Sequence, residues 1–376
     1  MNFVISSSDL LSRLQMVSRV IASKNTIPIL DDFLFEISGK NLIIKASDLE
    51  TTIVCKMQLI NVDGEGHIAV DARRLVEILK EFSEQPLTFM VDFNNLSVEI
   101  QSQHGKYSLT GHNADDFPKT PALKKAEMQE IKITSELFLS GVSMTHFATA
   151  NDELRPAMNG IYIEADSNAI TFVATDAQKL VRYMRKDVTI TGSAGFILPK
   201  KPSALLRNVL QKFEGEIMLQ IDKNNASFKI GEYSIICRLV DANYPAYNSV
   251  IPKQNPNKLT VDRVEFYNTL KRVSVFANAA TNLIRLEISG NNVRISAEDL
   301  DNSLSAYENV PCQYEGDPIV IGFRSVYFLE LLSNLSSTEI RIEMSEPNRA
   351  GLIFPNETEN EQEEILMLLM PMMLMS

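Results

Sequence analysis

IRLEISGNNVRISAED (residues 284–299) reads as two short strands joined by a polar turn, because apolar residues alternate on both sides of Gly290-Asn291-Asn292. The pattern recurs twice upstream, as FLFEISGKNLIIKASD (33–48) and NGIYIEADSNAITFVATD (159–176). All three end on Ala-x-Asp: Ala46-Ser47-Asp48, Ala174-Thr175-Asp176 and Ala297-Glu298-Asp299, in steps of 128 and 123 residues. Self-similarity at such a spacing marks repeated units. An aspartate that recurs once per unit at a strand end is better suited to fixing a turn than to catalysis.

Working outward, each hairpin follows a helical pattern: SDLLSRLQMVSRVIA (8–22), SELFLSGVSMTHFAT (135–149) and DRVEFYNTLKRVSVFAN (262–278), with Ser8, Ser135 and Asp262 placed to start the helices. A strand running into a second helix follows, and Arg73, Lys200 and Arg324 are expected to begin those helices. Further strands lead to Phe117-Pro118, Tyr244-Pro245 and Met370-Pro371, whose prolines are 127 and 126 residues apart. The expected fold is therefore α+β, three copies of two helices covering one face of antiparallel sheet, at 1–124, 125–253 and 254–376. Linkers are read at DDFPKTPALKKAEMQE (115–130) and NSVIPKQNPNKLTV (248–261).

No stretch of the 376 residues approaches the ~20 apolar residues of a membrane span, and the apolar tail from Ile365 is about half that length. MNFVISSSDLLSRLQ lacks the basic start and apolar core of a signal peptide. Cys55, Cys237 and Cys312 are sparse and far apart, as in a reduced, cytoplasmic protein. Net charge is −12, which argues against a coat for nucleic acid, yet the charge is unevenly spread. The helical segments hold 13 basic and 7 acidic residues, against 23 and 41 elsewhere. Helices sharing one direction would then form a basic surface suited to sequence-blind contact with a polyanion.

Catalytic motifs are missing. There is no phosphate-cradling glycine loop and no Gly-x-Ser-x-Gly turn, His67, His104, His112 and His146 are scattered, and no cysteine pair has zinc spacing. Neither a cofactor nor a metal is expected, and the residues point to a binding protein.

LQMVSRVIASKNTIPIL, DELRPAMNGIYIE, FVATDAQKL, YPAYNSVIP and LLMPMML, in that order on the triple repeat, resemble the bacterial β sliding clamps. The resemblance implies a head-to-tail homodimeric ring around duplex DNA, tethering the replicative polymerase without catalysis. By matching position it implies DNA-facing roles for Lys24, Arg73, Lys80, Lys200 and Lys201. Pro156 and Ala157 stand where family members often carry aromatic residues after the arginine matching Arg155.

For ring closure the resemblance implies Tyr107 and Leu109 of copy one meeting Val275 and Phe276 of copy three, with Arg74 and Lys106 facing Glu298, Asp299 and Asp301. It also implies an apolar cleft for short peptides of polymerase, clamp loader and repair proteins. In the middle copy the cleft residues are Met158, Thr175, Ala177, Gln178, Lys179, Leu180, Pro245 and Val250. In the last copy they are Tyr327, Leu368, Met370, Pro371, Met372 and Leu374. Members commonly have Gly-His-Arg where Ala177-Gln178-Lys179 stand, and Met-Arg-Leu where Met372-Met373-Leu374 stand, before Met375 and Ser376. The flexible, polarizable thioethers of the tail suit a surface accepting several peptides. Two other readings stay open on residues alone: an interaction scaffold of the same fold that does not bind DNA, and a hydrolase of unrecognised type.

Overall fold

The computed structural model describes residues 1–59, 61–124, 126–188, 190 and 193–374. Lys125, the expected first residue of copy two, and Met375 and Ser376 of the tail lie outside them. The described residues gather into two compact units, Met1–Leu139 with Lys201–Leu239, and Ser140–Lys200 with the chain from Val240 onward. Copy two is thus shared between the units.

Sheet pairing explains the division. In the first unit a five-stranded sheet runs Asn61–Asp63, Asn2–Ser6, Pro86–Asp92, Ser97–Gln101, Lys106–Thr110. Its eight-stranded sheet joins four strands of copy two, ending on Tyr233–Arg238, to four of copy one, beginning with Thr51–Gln58. In the second unit a nine-stranded sheet joins Lys179–Arg185 of copy two to Glu363–Leu369 of copy three. A five-stranded sheet there runs Leu304–Pro311, Asn292–Asp299, Leu283–Ser289, Ile319–Arg324, Pro371–Met372.

The three hairpins form as expected, and the ladders line up the copies rung by rung. In copy one Phe3 faces Phe89, Phe89 faces Ile100, and Ile100 faces Tyr107. The same rung ends on Ile235 in copy two and on Met367 in copy three. On the other side, the alanines of Ala-x-Asp face Ile53, Val181 and Ala306. At both internal junctions these two positions pair: Ile235 opposite Ile53, and Met367 opposite Val181.

Six α-helices are present among the described residues: α1 Ser7–Val17, α2 Ala72–Lys80, α3 Ser135–His146, α4 Lys200–Leu210, α5 Arg263–Ser274 and α6 Ser325–Ser333. They correct the sequence reading in three ways. First, Ser6 and Thr134 cap α1 and α3, accepting from the N–H of Asp9 and Leu137, so Ser8 and Ser135 lie inside the helices. A strand runs directly into each helix and moves its start upstream; only Asp262 caps as expected, accepting from Glu265 N–H at 2.7 Å. Second, Arg73 is the second residue of α2 and Arg324 is the N-cap of α6, so only Lys200 begins a helix.

Third, the helices do not cover one sheet face alone. Phe266 and Leu270 of α5 and Phe328 and Leu332 of α6 share one core with Leu259 and Ile342 of the nine-stranded sheet and Leu286 and Ile321 of the five-stranded sheet. Phe266 and Phe328 meet edge-on at 5.5 Å between ring centres, a contact worth about 0.5–1.5 kcal/mol beyond burial.

The proline landmarks are not equivalent either. In each copy a backbone segment clips the strand that precedes the second helix: His112 on Ala69, Val240 on Ile197, Met372 on Gly322. Phe117-Pro118 and Tyr244-Pro245 follow their clips, whereas Pro371 is itself part of its clip, paired with Phe323. The common spacing arises because the loops of copy three differ in length. The clip of copy one is reinforced by the buried Asp32, whose carboxylate meets His112 Nδ1 at 2.6 Å.

Candidate functional site

The second unit carries the expected cleft residues, and local hydrogen bonding shapes them. Thr175 ends its strand buried, donating from Oγ1 to the Lys179 carbonyl at 2.7 Å and accepting from Ala177 N–H at 3.1 Å. Asp176 Oδ1 accepts from the N–H groups of Gln178 and Lys179, both at 2.9 Å. Asp48 and Asp299 accept similarly from Thr51 N–H and Asp301 N–H, so the recurring aspartate does fix a turn. The turn holds Ala177 at φ 73°. That left-handed conformation costs an L-residue about 1–2 kcal/mol and would suit a glycine. Ala177→Gly is expected to raise the urea midpoint, with a gain below about 1 kcal/mol, because glycine loses more entropy on folding. A lowered midpoint would contradict strain at this turn.

Lys179 is buried, and its ammonium donates to Asp176 Oδ2 at 2.7 Å and to Glu330 Oε2 of α6 at 3.0 Å. It also lies 4.6 Å from the centre of the Tyr327 ring. Burial disfavours the ammonium, but the two carboxylates outweigh this and hold its pKa above the ordinary lysine value. The cation at this position is therefore turned inward and braces α6 against the turn.

Leu180 and Leu368 face each other across the strand pair and are buried with Tyr247, Leu352 and Leu366, under Tyr244 and Ile251. They support the surface and do not form it. Pro245 and Val250 are exposed, Met158 half-buried. Met370 donates its N–H to the Gln178 carbonyl at 2.9 Å. The chain then crosses to the five-stranded sheet, where Pro371 and Met372 pair with Phe323 and Gly322. A side chain at Gly322 would collide with Leu374 and Leu283, so this glycine seats the tail.

Two hollows flank these residues. One, of about 550 Å³, lies between the 149–155 segment, Asp176 and Tyr327. Its loop is set by Asn159, which accepts from Asp152 N–H at 2.9 Å and donates to the Asp152 carbonyl at 2.8 Å. Leu154 projects 92% exposed. The other, of about 460 Å³, is lined by Val320, Glu346, Pro347, Asn348, Met372, Met373 and Leu374. Residues 149–154 and 346–348, which line these hollows, were not singled out as candidates from the sequence.

In the first unit, Lys24 and Lys80 are exposed, and Arg73 is exposed while pairing with Glu77 at 3.1 Å. Lys201 is less free: its ammonium pairs with Asp48 and donates to the Val20 carbonyl at 3.2 Å. Lys200, half-buried, belongs to the second unit. Arg13 and Arg272 are also engaged, with Asp9 and Glu232 and with Glu308, so the helical charge tally overstates the free positive charge.

Of the expected dimer residues, Lys106, Tyr107 and Leu109 lie on an edge strand of the first unit, and Glu298 and Asp299 on the strand beside the edge strand Leu304–Pro311 of the second. Tyr107 is 40% exposed on the edge strand Lys106–Thr110, packed edge-on against Phe82; Leu109 is half-buried and Lys106 pairs with Glu99 at 2.9 Å. Val275 and Phe276, just past α5, are 74% and 37% exposed and not core. Leu304 and Tyr307 on the other edge strand are also exposed. Arg74, Glu298 and Asp301 are exposed, whereas Asp299 is buried and accepts from Asn302 Nδ2 at 2.8 Å, held in its own turn.

Among known proteins, models of the N-terminal, central and C-terminal domains of the DNA polymerase III beta subunit match residues 1–121, 132–246 and 248–373. The beta sliding clamp of Vibrio cholerae is 26% identical over 354 residues, covering 94% of this chain and 95% of that protein. That of Pseudomonas aeruginosa is 26% identical over 377 residues, covering both chains in full. The crystal structure of the Pseudomonas aeruginosa DNA polymerase III subunit beta superposes with a TM-score of 0.93 at 25% identity, and that of Thermotoga maritima with 0.90 at 26%, each over 100% of both chains. The chain belongs to the DNA polymerase III beta subunit family, the sliding clamps that serve the polymerase as non-catalytic processivity subunits.

Proposed function

We propose that two copies of this chain close head to tail into a cytoplasmic ring around duplex DNA, with domains 1–124, 125–253 and 254–376, and that the ring tethers the polymerase. The observation that carries this reading is the repeated junction. Within the chain, Tyr233–Arg238 and Glu363–Leu369 each pair with the strand after Ala-x-Asp of the copy before, Thr51–Gln58 and Lys179–Arg185, in one register. Among the described residues only Lys106–Thr110 and Leu304–Pro311 lack that neighbour. Extending the register to a second copy sets Tyr107 opposite Ala306 and Leu109 opposite Leu304, a heterologous contact that closes at two subunits.

Around it, the exposed Val275, Phe276 and Tyr307 supply an apolar core to the interface. The internal pair between Lys201, second residue of α4, and Asp48 gives the pattern for Arg73 and Arg74 meeting Glu298 and Asp301. Lys24 and Lys80, with Arg73, Lys200 and Lys201 in part, offer sequence-blind phosphate contacts. Partner peptides dock along Tyr327, Val250, Pro245, Met370, Met372 and Leu374, over a floor of Leu180 and Leu368.

With a clamp loader, the protein is expected to stay on nicked circular DNA and to slip off once the circle is cut. Equal retention on both forms would mean ordinary surface binding, and retention on neither would leave a scaffold without DNA.

A further inference from the structure

Resting on the docking reading above, we propose that the tail is also a redox-sensitive modification site, at which oxidation of Met370 and Met373 releases partner peptides. Among the described methionines these two alone are exposed, Met373 at 78% and Met370 at 40%. Met16, Met57, Met344 and Met367 are buried, and the rest are partly covered. Both exposed thioethers lie in one four-residue stretch on the docking surface, where Met372 and Met373 also line the hollow beside Pro347 and Leu374.

A hydroperoxide is the oxidant. The thioether sulfur attacks one peroxide oxygen, the S–O bond forms as the O–O bond breaks, and sulfur loses two electrons while hydrogen peroxide becomes water. A dithiol reductase reverses the step, forming a disulfide and releasing water. The sulfoxide is polar and must stay hydrated, so an apolar peptide anchor that covered the thioether meets a bound water shell. The strand pairing of Pro371 and Met372 with Phe323 and Gly322 involves backbone groups only, so oxidation alters the surface without unseating the tail.

The test treats the full-length protein with hydrogen peroxide and follows each methionine by peptide mass spectrometry. Binding of a fluorescein-labelled peptide copied from the cognate polymerase tail is measured by polarisation. Met370 and Met373 are expected to oxidise well before Met16, Met57, Met344 and Met367, with peptide affinity falling about tenfold or more. Methionine sulfoxide reductases should restore it. In Met370→Leu/Met373→Leu, the ratio of treated to untreated affinity should stay within about twofold, whatever its starting value. Oxidation of both sites without loss of affinity, no preference for them over buried methionines, or an equal loss in the double variant would overturn the proposal. Failure of the untreated wild type to bind the peptide would instead overturn the docking reading on which it rests.

Discussion

A chain carrying Tyr107→Cys and Ala306→Cys closes, on mild oxidation, into a two-subunit ring locked by two disulfides. The expectation follows from register alone. Residues directly opposite in antiparallel strands have Cβ atoms about 4.5–5.5 Å apart, close enough for a small shift to bring sulfurs into bonding range. The pair Tyr107→Cys and Leu304→Cys is diagonal, at about 7–8 Å, and should cross-link poorly. Cys55 and Cys237 are buried and Cys312 half-buried, so single-cysteine variants give the background. In the same interface Phe276→Asp removes a large apolar side chain and places a carboxylate among apolar groups that would be desolvated on association. A loss of about 4 kcal/mol or more, roughly a thousandfold in dissociation constant, is expected in sedimentation equilibrium. An undisturbed dimer would remove Phe276 from the interface, and preferential cross-linking of the diagonal pair would refute the register.

That register was not legible in the sequence, although the repeat was. Alternation of apolar residues exposed the three hairpins, because one face of each must be buried. Gly-Lys-Tyr-Ser at 105–108 and Gly-Glu-Tyr-Ser at 231–234 suggest aligning Tyr107 with Tyr233, yet the ladders align Tyr107 with Ile235. The hairpin before it is two residues longer in copy one, and loop length is set by turn geometry that similar letters do not reveal. The proline landmarks failed for the same reason. The free edges themselves depend on which strands pair across copies, information that no single segment contains.

The cleft divided along a similar line. Val250, Tyr327 and the tail could be named as cleft candidates from the sequence by position; Val250, Met370 and Met373 are exposed, Tyr327 half-buried. The inward turn of Lys179 could not be read from the sequence, because Glu330 lies 151 residues away, on α6. Charge counting treats each lysine as a free cation, whereas burial forces it to find partners.

The size of that effect is testable at Lys179 itself. Lys179→Met keeps the apolar stem but leaves Asp176 and Glu330 without their shared cation. Stranding a buried partner costs about 3–5 kcal/mol; here about 2–4 kcal/mol is expected, since Glu330 is 39% exposed and water screens part of its charge. Because the folded pKa of Lys179 is raised, its stabilisation is present in full at neutral pH and is lost only as pH rises through that value. The urea midpoint of the second unit should therefore fall markedly at pH 7, with a much smaller gap between variant and wild type in strong alkali. Adding Glu330→Gln should recover part of the loss by removing one stranded charge, while Asp176 must stay to hold its turn. Peptide affinity should drop as well, because α6 and the Tyr327 ring are no longer tied to the 176–179 turn. A midpoint change no larger than the roughly 0.5 kcal/mol typical of surface substitutions would show that Lys179 is not a brace.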